Sequence, residues 1–153
     1  ADKNAPNAYA VPEGWAAASA FELPGYIRLG SSAASAGSIT TPALEALGET
    51  PADITVSFKA AYHMGGSKSY LPDTNTLTVT AEGAGTAAEP VHELASLPAE
   101  CKPATEAEAK AMEDAYYKWY PVTVKVTGAT KETRITIGGT GRRYIDDIVI
   151  TKD

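Results

Sequence analysis

The segment Arg143-Tyr144-Ile145-Asp146-Asp147-Ile148-Val149-Ile150-Thr151, near the end of the chain, decides the fold class. It is rich in β-branched and aromatic residues and follows a glycine-rich turn at residues 138–141, which is typical of a strand. Two adjacent aspartates, Asp146 and Asp147, interrupt its apolar run. A carboxylate in such a strand must face water, accept several hydrogen bonds or bind a cation, because an unpaired buried charge is too costly. The segment therefore predicts a β protein and marks this acidic pair for scrutiny.

Earlier segments show the alternation of apolar and polar residues that is typical of strands with one buried face. The clearest is residues 53–60, in which Ile54, Val56 and Phe58 are expected to face inward. The other predicted strands are residues 25–30, 76–80, 122–126 and 133–137.

One helix is expected near residues 105–118. Thr105 can cap it, and Glu108, three residues later, completes a capping box. Pro121 ends it by disfavouring the helical conformation of the residue before it. About seven short strands joined by Gly- and Pro-rich loops predict an all-β fold, an antiparallel β-sandwich or jelly roll with one inserted short helix.

The chain of 153 residues is long enough for one domain with a core of its own. Residues 1–14 are expected to form a loosely ordered N-terminal arm. Residues 15–153 are expected to form a single jelly-roll domain, with a helical insertion at about residues 87–118.

Composition excludes some classes of function. The net charge of −6 disfavours a nucleic-acid partner, which would require a basic face. No apolar run is long enough to cross a bilayer, so direct membrane insertion is not expected. Because the chain starts at Ala1 rather than Met, we expect that a signal or anchor has been removed and that the protein is extracellular or on the cell surface.

Several motifs in order along the chain resemble the jelly-roll modules of secreted and surface proteins of the Bacteroides group. These modules are similar to choice-of-anchor J and MAM-type domains and to galactose-binding-like carbohydrate-binding modules. The motifs are Pro12-Glu13-Gly14-Trp15, residues 25–32, residues 37–44, residues 53–61, residues 126–130 and Tyr144-Ile145-Asp146-Asp147-Ile148. The resemblance covers most of the chain and implies glycan binding, adhesion or a spacing role.

The resemblance also implies that an aspartate of the pair Asp146 and Asp147 helps to bind a structural calcium ion. Calcium takes six to eight oxygen ligands, so further ligands would be needed. The candidate partners are Asp2, Asn4, Asn7 and Glu13. The alternative is that one aspartate caps a bulge or accepts backbone N–H groups while the other faces water.

Aromatic residues give the candidate binding site. The loop after the strand at residues 53–60 contains Tyr62, His63, Lys68 and Tyr70. Tyrosine rings can stack on the C–H faces of sugars, and the histidine and lysine can meet hydroxyls or an acidic substituent. The alternative is that Tyr62 and Tyr70 cover the edge of the sandwich.

A second candidate surface is the strand face that carries Tyr26 and Arg28. Arg142 and Arg143 could also hydrogen-bond a polar ligand, or each could be a solvated strand or turn residue. Trp119 shares a helical stripe with Met112 and Tyr116, which predicts packing of the inserted helix onto a sheet.

No catalytic residue is predicted. Adjacent aspartates on one strand point to opposite faces, so they cannot act as the two facing acids of a glycoside hydrolase. His63 and His92 have no metal-ligand spacing. The sequence thus predicts a non-catalytic carbohydrate-binding module of an exported or surface protein. The alternative is a structural or adhesion domain that contacts protein, with neighbouring domains in a larger chain.

Overall fold

The computed structural model describes residues 10–64, 72–73, 76–93, 104–111 and 118–153. The described residues form eleven strands, one short α-helix and one turn of 3-10 helix. The strands are β1 (Ala16–Ala18), β2 (Ala20–Leu23), β3 (Tyr26–Leu29), β4 (Ala36–Thr40), β5 (Ala52–Tyr62), β6 (Thr76–Glu82), β7 (Thr86–Ala87), β8 (Val91–Glu93), β9 (Tyr120–Ala129), β10 (Arg134–Thr140) and β11 (Arg143–Lys152). The α-helix, α1, is Glu106–Ala111, and the 3-10 turn is Glu45–Leu47.

The strands form two antiparallel sheets. One sheet has five strands in the order β1-β4-β10-β6-β8, and the other has six in the order β2-β3-β11-β5-β9-β7. Strands that follow one another in the chain often lie in different sheets, as they do in a jelly roll. The predicted antiparallel β-sandwich with one inserted short helix is therefore confirmed.

The core lies between the two sheets and follows the alternation in the sequence. In β5, Ile54, Val56 and Phe58 are buried, as predicted, and the intervening residues are not. β9 and β10 supply valine and isoleucine side chains with the same alternation. Each fully buried aliphatic side chain contributes about 1.5–3 kcal/mol relative to an exposed one, so these strands carry much of the stability.

A β-bulge explains the two adjacent aspartates of β11. The register against β5 shifts between Asp146, which pairs with Lys59, and Val149, which pairs with Ser57. Two residues of β11 thus oppose one residue of β5, and Asp147 has a φ of 52°. Because the bulge inserts one residue, the alternation restarts after it, and both aspartates can avoid the core while the flanking isoleucines face it.

The start of the predicted helix is confirmed. The Thr105 Oγ1 atom accepts the backbone N–H of Glu108 at 3.3 Å, and a Glu108 carboxylate oxygen accepts the N–H of Ala104 at 2.8 Å. The helix is described only as far as Ala111, so Met112 and Tyr116 of the predicted stripe lie outside the described residues.

The structure adds five strands that the sequence does not predict, β1, β2, β4, β7 and β8. β7 and β8 lie at the start of the segment expected to be a helical insertion. Short edge strands of two to four residues have too few positions to show an alternation. Among the described residues, no helix has the length and apolar character needed to cross a membrane.

Candidate functional site

The outer face of the six-stranded sheet carries a row of aromatic and basic side chains. In the strand registers, Tyr144 of β11 lies opposite Arg28 of β3 on one side and Ala61 of β5 on the other, and Arg28 lies opposite Phe21 of β2. Residues directly opposite one another share a face of the sheet. Since the neighbouring residue Ile145 is buried in the core, this row faces outward.

On this face the ring of Tyr26 contacts two other rings edge to face. The Tyr26 ring centroid lies 5.6 Å from that of Trp119 and 5.4 Å from that of Tyr144, with interplanar angles of 76° and 86°. Trp119 is 37% exposed, and the two tyrosines are half-buried. Such T-shaped pairs contribute about 0.5–1.5 kcal/mol beyond area burial, so the rings support one another in fixed orientations. We call the set Tyr26, Tyr144, Trp119, Arg28 and His63 the aromatic face.

Arg28 lies at the β2 side of the aromatic face. Its guanidinium carbon is 4.7 Å from the centre of the Phe21 ring, a cation–π contact. The buried Arg28 Nε atom has no hydrogen-bond partner among the described residues.

His63 lies at the other side of Tyr144. The two ring centroids are 5.5 Å apart with an interplanar angle of 37°. The buried Nδ1 atom of His63 has no hydrogen-bond partner in the described part of the chain. Burial lowers the pKa of His63, and the positive charges of Arg142 and Arg28 lower it further, whereas Asp73 acts in the opposite direction. The surroundings of His63 therefore disfavour its charged form.

A buried ion pair borders His63. Asp73 Oδ2 accepts the backbone N–H and the Nε–H of Arg142, both at 2.8 Å, and Oδ1 accepts an Nη2–H at 3.1 Å. Burial alone would raise the pKa of Asp73, but the hydrogen bonds and charge of Arg142 outweigh it and hold the pKa below its ordinary value. The interpretation of Arg142 as a solvated turn residue is thus wrong, because its side chain is only 19% exposed.

The predicted role of Tyr62 in sugar stacking is wrong. Its side chain points between the sheets with a residue exposure of 3%, and its ring meets that of Tyr120 edge to face at 5.6 Å. Burial raises the pKa of Tyr62 to about 12. For Tyr62 the structure favours the alternative of a residue that covers the sandwich, and it places the side chain in the core cluster itself. Lys68 and Tyr70 lie outside the described residues.

The structure brings together three of the predicted binding residues, Tyr26, Arg28 and His63, although the sequence analysis places them in two separate surfaces. It adds Trp119 and Tyr144. Trp119 is not part of a helix; it directly precedes β9 and packs against Tyr26. The outward position of Tyr144 could be predicted from the sequence, because its neighbour Ile145 is apolar and adjacent strand residues face opposite ways. Its pairing with Arg28 could not be predicted, because it depends on the register between strands that are distant in the chain.

The structure favours the bulge alternative for the acidic pair of β11. Asp146 Oδ1 accepts the backbone N–H of Asp147 at 2.8 Å. Asp147 Oδ2 lies 2.6 Å from Lys59 Nζ, and both side chains are more than half exposed. The hydrogen bond and charge of Asp147 raise the pKa of Lys59.

Calcium binding stays a prediction. Within the described ranges, no three carboxylate, histidine or cysteine side chains are grouped to hold a metal, and Lys59 is already the partner of Asp147. Of the other candidate ligands, Asp2, Asn4 and Asn7 lie outside the described residues.

If calcium is bound, the melting temperature is expected to rise by about 5–10 °C at a calcium concentration about 100 times the Kd, relative to chelated protein. Asp146→Asn should abolish this rise. The control variant Glu89→Gln, which removes an exposed acid elsewhere, should retain it. Differential scanning calorimetry measures both. Equal melting temperatures with chelator and with calcium would contradict the prediction.

A large cavity lies elsewhere in the fold. Its volume is about 820 Å³, and it lies at the opposite end of β5 and β11, where aliphatic residues such as Leu44, Leu47, Ile54 and Ile150 line it. Its described lining contains no aromatic ring. The aromatic face is therefore the better candidate for a site that recognises flat, partly apolar ligands.

Comparisons with known proteins give a fold-level likeness only. A scan against protein-family models finds no match, and a search of curated proteins finds none. A similar chain occurs in a solved structure described as "CBM4 structure and function", where CBM denotes a carbohydrate-binding module. It is 15% identical over 93% of this chain and 96% of that chain, with a TM-score of 0.47. At that distance the likeness says nothing about a ligand, so any function must rest on the residues of this chain.

Proposed function

We propose that this domain is a non-catalytic carbohydrate-binding module and that its aromatic face is the binding surface. The observation that carries the proposal is the cluster of Tyr26, Tyr144 and Trp119, whose rings are fixed by mutual contacts on an outward sheet face. Pyranose rings present C–H groups on one face, and such faces stack on aromatic rings. Because the rings are already held in place, a ligand would not have to order them, which lowers the cost of binding.

The polar neighbours of these rings fit the same ligand class. Sugar hydroxyls need hydrogen-bond partners at the rim of a stacking platform, and Arg28 and His63, which flank Tyr144, are side chains with N–H donors. A small number of polar groups around apolar rings is the usual composition of a small-molecule site.

We also propose that the domain works in an exported or cell-surface protein, where extracellular glycans are found. The resemblance of its motifs to secreted and surface modules supports this location. Labelling of intact source cells with an antibody against the domain is expected to give a surface signal, and a signal only after lysis would contradict it.

Binding of a glycan is expected to weaken about tenfold in each of the variants Trp119→Ala and Tyr26→Ala, which corresponds to about 1.4 kcal/mol. The reason is the loss of one stacking ring from the aromatic face. A glycan array on the isolated domain identifies a ligand, and isothermal titration calorimetry then gives the affinities.

Val149→Ala is the matched control, because Val149 is a 50% exposed apolar residue of β11 outside the aromatic face. Its affinity should equal that of the unaltered domain. Unchanged binding in both aromatic variants would show that the ligand binds elsewhere. If the domain binds no glycan at all, the proposal fails, and the exposed tryptophan and arginine would favour a protein-contact role instead.

A further inference from the structure

Arg28 differs from every other arginine of the chain. The sequence contains four arginines. Arg134 donates to the carbonyl oxygens of Thr41 and Gly14, Arg142 donates to Asp73, and Arg143 donates to several carbonyl groups. Within the described residues the guanidinium of Arg28 donates to no acceptor.

The surroundings of Arg28 make that lack of an acceptor informative. The buried Nε–H of Arg28 is costly to leave unpaired, because it loses water without gaining a partner. Phe21 packs against the group, with the guanidinium carbon 4.7 Å from the centre of its ring, a contact that supplies no hydrogen-bond acceptor. A planar guanidinium fork matches a carboxylate, which it can hold through two parallel hydrogen bonds.

The position of Arg28 relates it to the proposed stacking rings. Arg28 lies directly opposite Tyr144 in the β3–β11 register, so their Cβ atoms are about 4.5–5.5 Å apart. His63 lies on the far side of the same tyrosine ring, with centroids 5.5 Å apart. A sugar stacked near Tyr144 would therefore have a basic side chain on one side and an imidazole on the other.

We propose that Arg28, with His63 as the second polar contact, recognises the carboxylate of an acidic sugar stacked beside Tyr144, so that the ligand of the aromatic face is an acidic glycan. This inference rests on the proposed function of that face. The overall charge of −6 repels anions in general, so an anionic ligand needs such a local cationic site. In a hexuronic or sialic acid the carboxylate is attached at the edge of the pyranose ring, where it can reach a group beside the stacking platform.

Isothermal titration calorimetry with two matched pairs of ligands tests the inference and shows whether the acidic sugar is a hexuronic acid or a sialic acid. The first pair is tetragalacturonate and its carboxyl-reduced counterpart, and the second is sialyllactose and lactose. The unaltered domain should bind one acidic member about tenfold or more tightly than its neutral partner. Arg28→Gln should reduce this preference to about twofold or less, because it weakens binding of the acidic member much more than binding of the neutral partner.

Lys152→Gln is the control for loss of one positive charge, since Lys152 is an exposed residue at the opposite end of β11. It should retain the preference. If Arg28→Gln lowers the melting temperature strongly, Arg28→Lys, which keeps the charge but not the fork, should still lose most of the preference.

The preference for the acidic member should also grow as the pH falls from about 7.5 to about 5.5, because a bound carboxylate favours protonated His63. His63→Gln should remove this pH dependence.

Two results would overturn the inference. If the acidic and neutral members bind with equal affinity and Trp119→Ala weakens the binding of both, the aromatic face is a site that does not select acidic glycans. An acidic preference that persists in Arg28→Gln would place the anion site elsewhere. If no member of either pair and no arrayed glycan binds, the proposed function itself fails and this inference fails with it.

Discussion

The variant Arg143→Ala is expected to lower the free energy of unfolding by about 3–5 kcal/mol, a large part of the 5–15 kcal/mol that stabilises a typical domain. Arg143 begins β11 with its side chain in the core and is only 2% exposed. Its guanidinium donates to the carbonyl oxygens of Thr76, Thr140 and Gly141. Urea or thermal unfolding of the two proteins measures the difference.

The size of the effect follows from what Arg143 connects. Thr76 begins β6 in the five-stranded sheet, while Arg143 itself belongs to the six-stranded sheet, so the side chain links the two layers. Gly139 makes room for it: its φ is 147°, and a Cβ atom there would lie 3.1 Å from the Arg143 Nη1 atom. Removing the side chain would leave a cavity and buried carbonyl oxygens without donors.

Arg134→Ala is the matched control. Arg134 also donates to backbone carbonyl oxygens, those of Thr41 and Gly14, but it is only partly buried. Water can replace its hydrogen bonds, so this variant should lose only about 1 kcal/mol or less. Similar losses of unfolding free energy in both variants would show that the burial of Arg143 does not determine its contribution to stability. The sequence leaves open whether Arg143 contacts a ligand or is solvated, and its exposure of 2% contradicts the solvated alternative.

The parts of the fold that the sequence predicts are those that local chemistry specifies. β5, β6, β9 and β10 were predicted because alternation within one strand reports which face is buried. The bulge in β11 was one of two alternatives, and the adjacent aspartates pointed to it because a regular strand would bury one of them. The short edge strands could not be predicted, because their backbone hydrogen bonds depend on strands that are distant in the chain.

The candidate site was predictable only in part, for a related reason. Tyr26, Arg28 and His63 were named from residue type, but nothing in the sequence places β3 beside β11 and thus brings the three together. Tyr62 was assigned to the surface because tyrosine tolerates water. Its position in the alternation of β5, in phase with Ala60, Phe58 and Val56, would have indicated the core.

The second large effect concerns the ion pair beside the aromatic face. Asp73→Asn is expected to lower the free energy of unfolding at pH 7 by about 2–3 kcal/mol, somewhat less than for a fully buried pair because Arg142 is 19% exposed. The Asp73 side chain itself is only 1% exposed and accepts three hydrogen bonds from Arg142. The amide of asparagine keeps the shape but loses the charge that balances Arg142.

The pH dependence of this loss distinguishes an ion pair from simple packing. The pKa of Asp73 in the folded protein lies below its ordinary value, which is about 3.9. Its contribution to stability is therefore present above about pH 4 and is lost as the pH falls through the folded-state pKa. The stability difference between Asp73→Asn and the unaltered protein should be largest near neutral pH and should shrink below about pH 4, as urea unfolding at several pH values would show.

Asp153→Asn provides the control, because this carboxylate is also paired, with Lys125 Nζ at 2.6 Å, but lies at the exposed end of the chain. Hydrogen bonds from Lys125 and Thr55 lower the pKa of Asp153 as well. An exposed pair is screened by water, so the variant should unfold at nearly the same urea concentration as the unaltered protein. A loss in Asp73→Asn that stays constant from neutral to acidic pH would contradict the ion-pair account, because packing defects do not depend on the protonation of a carboxylate.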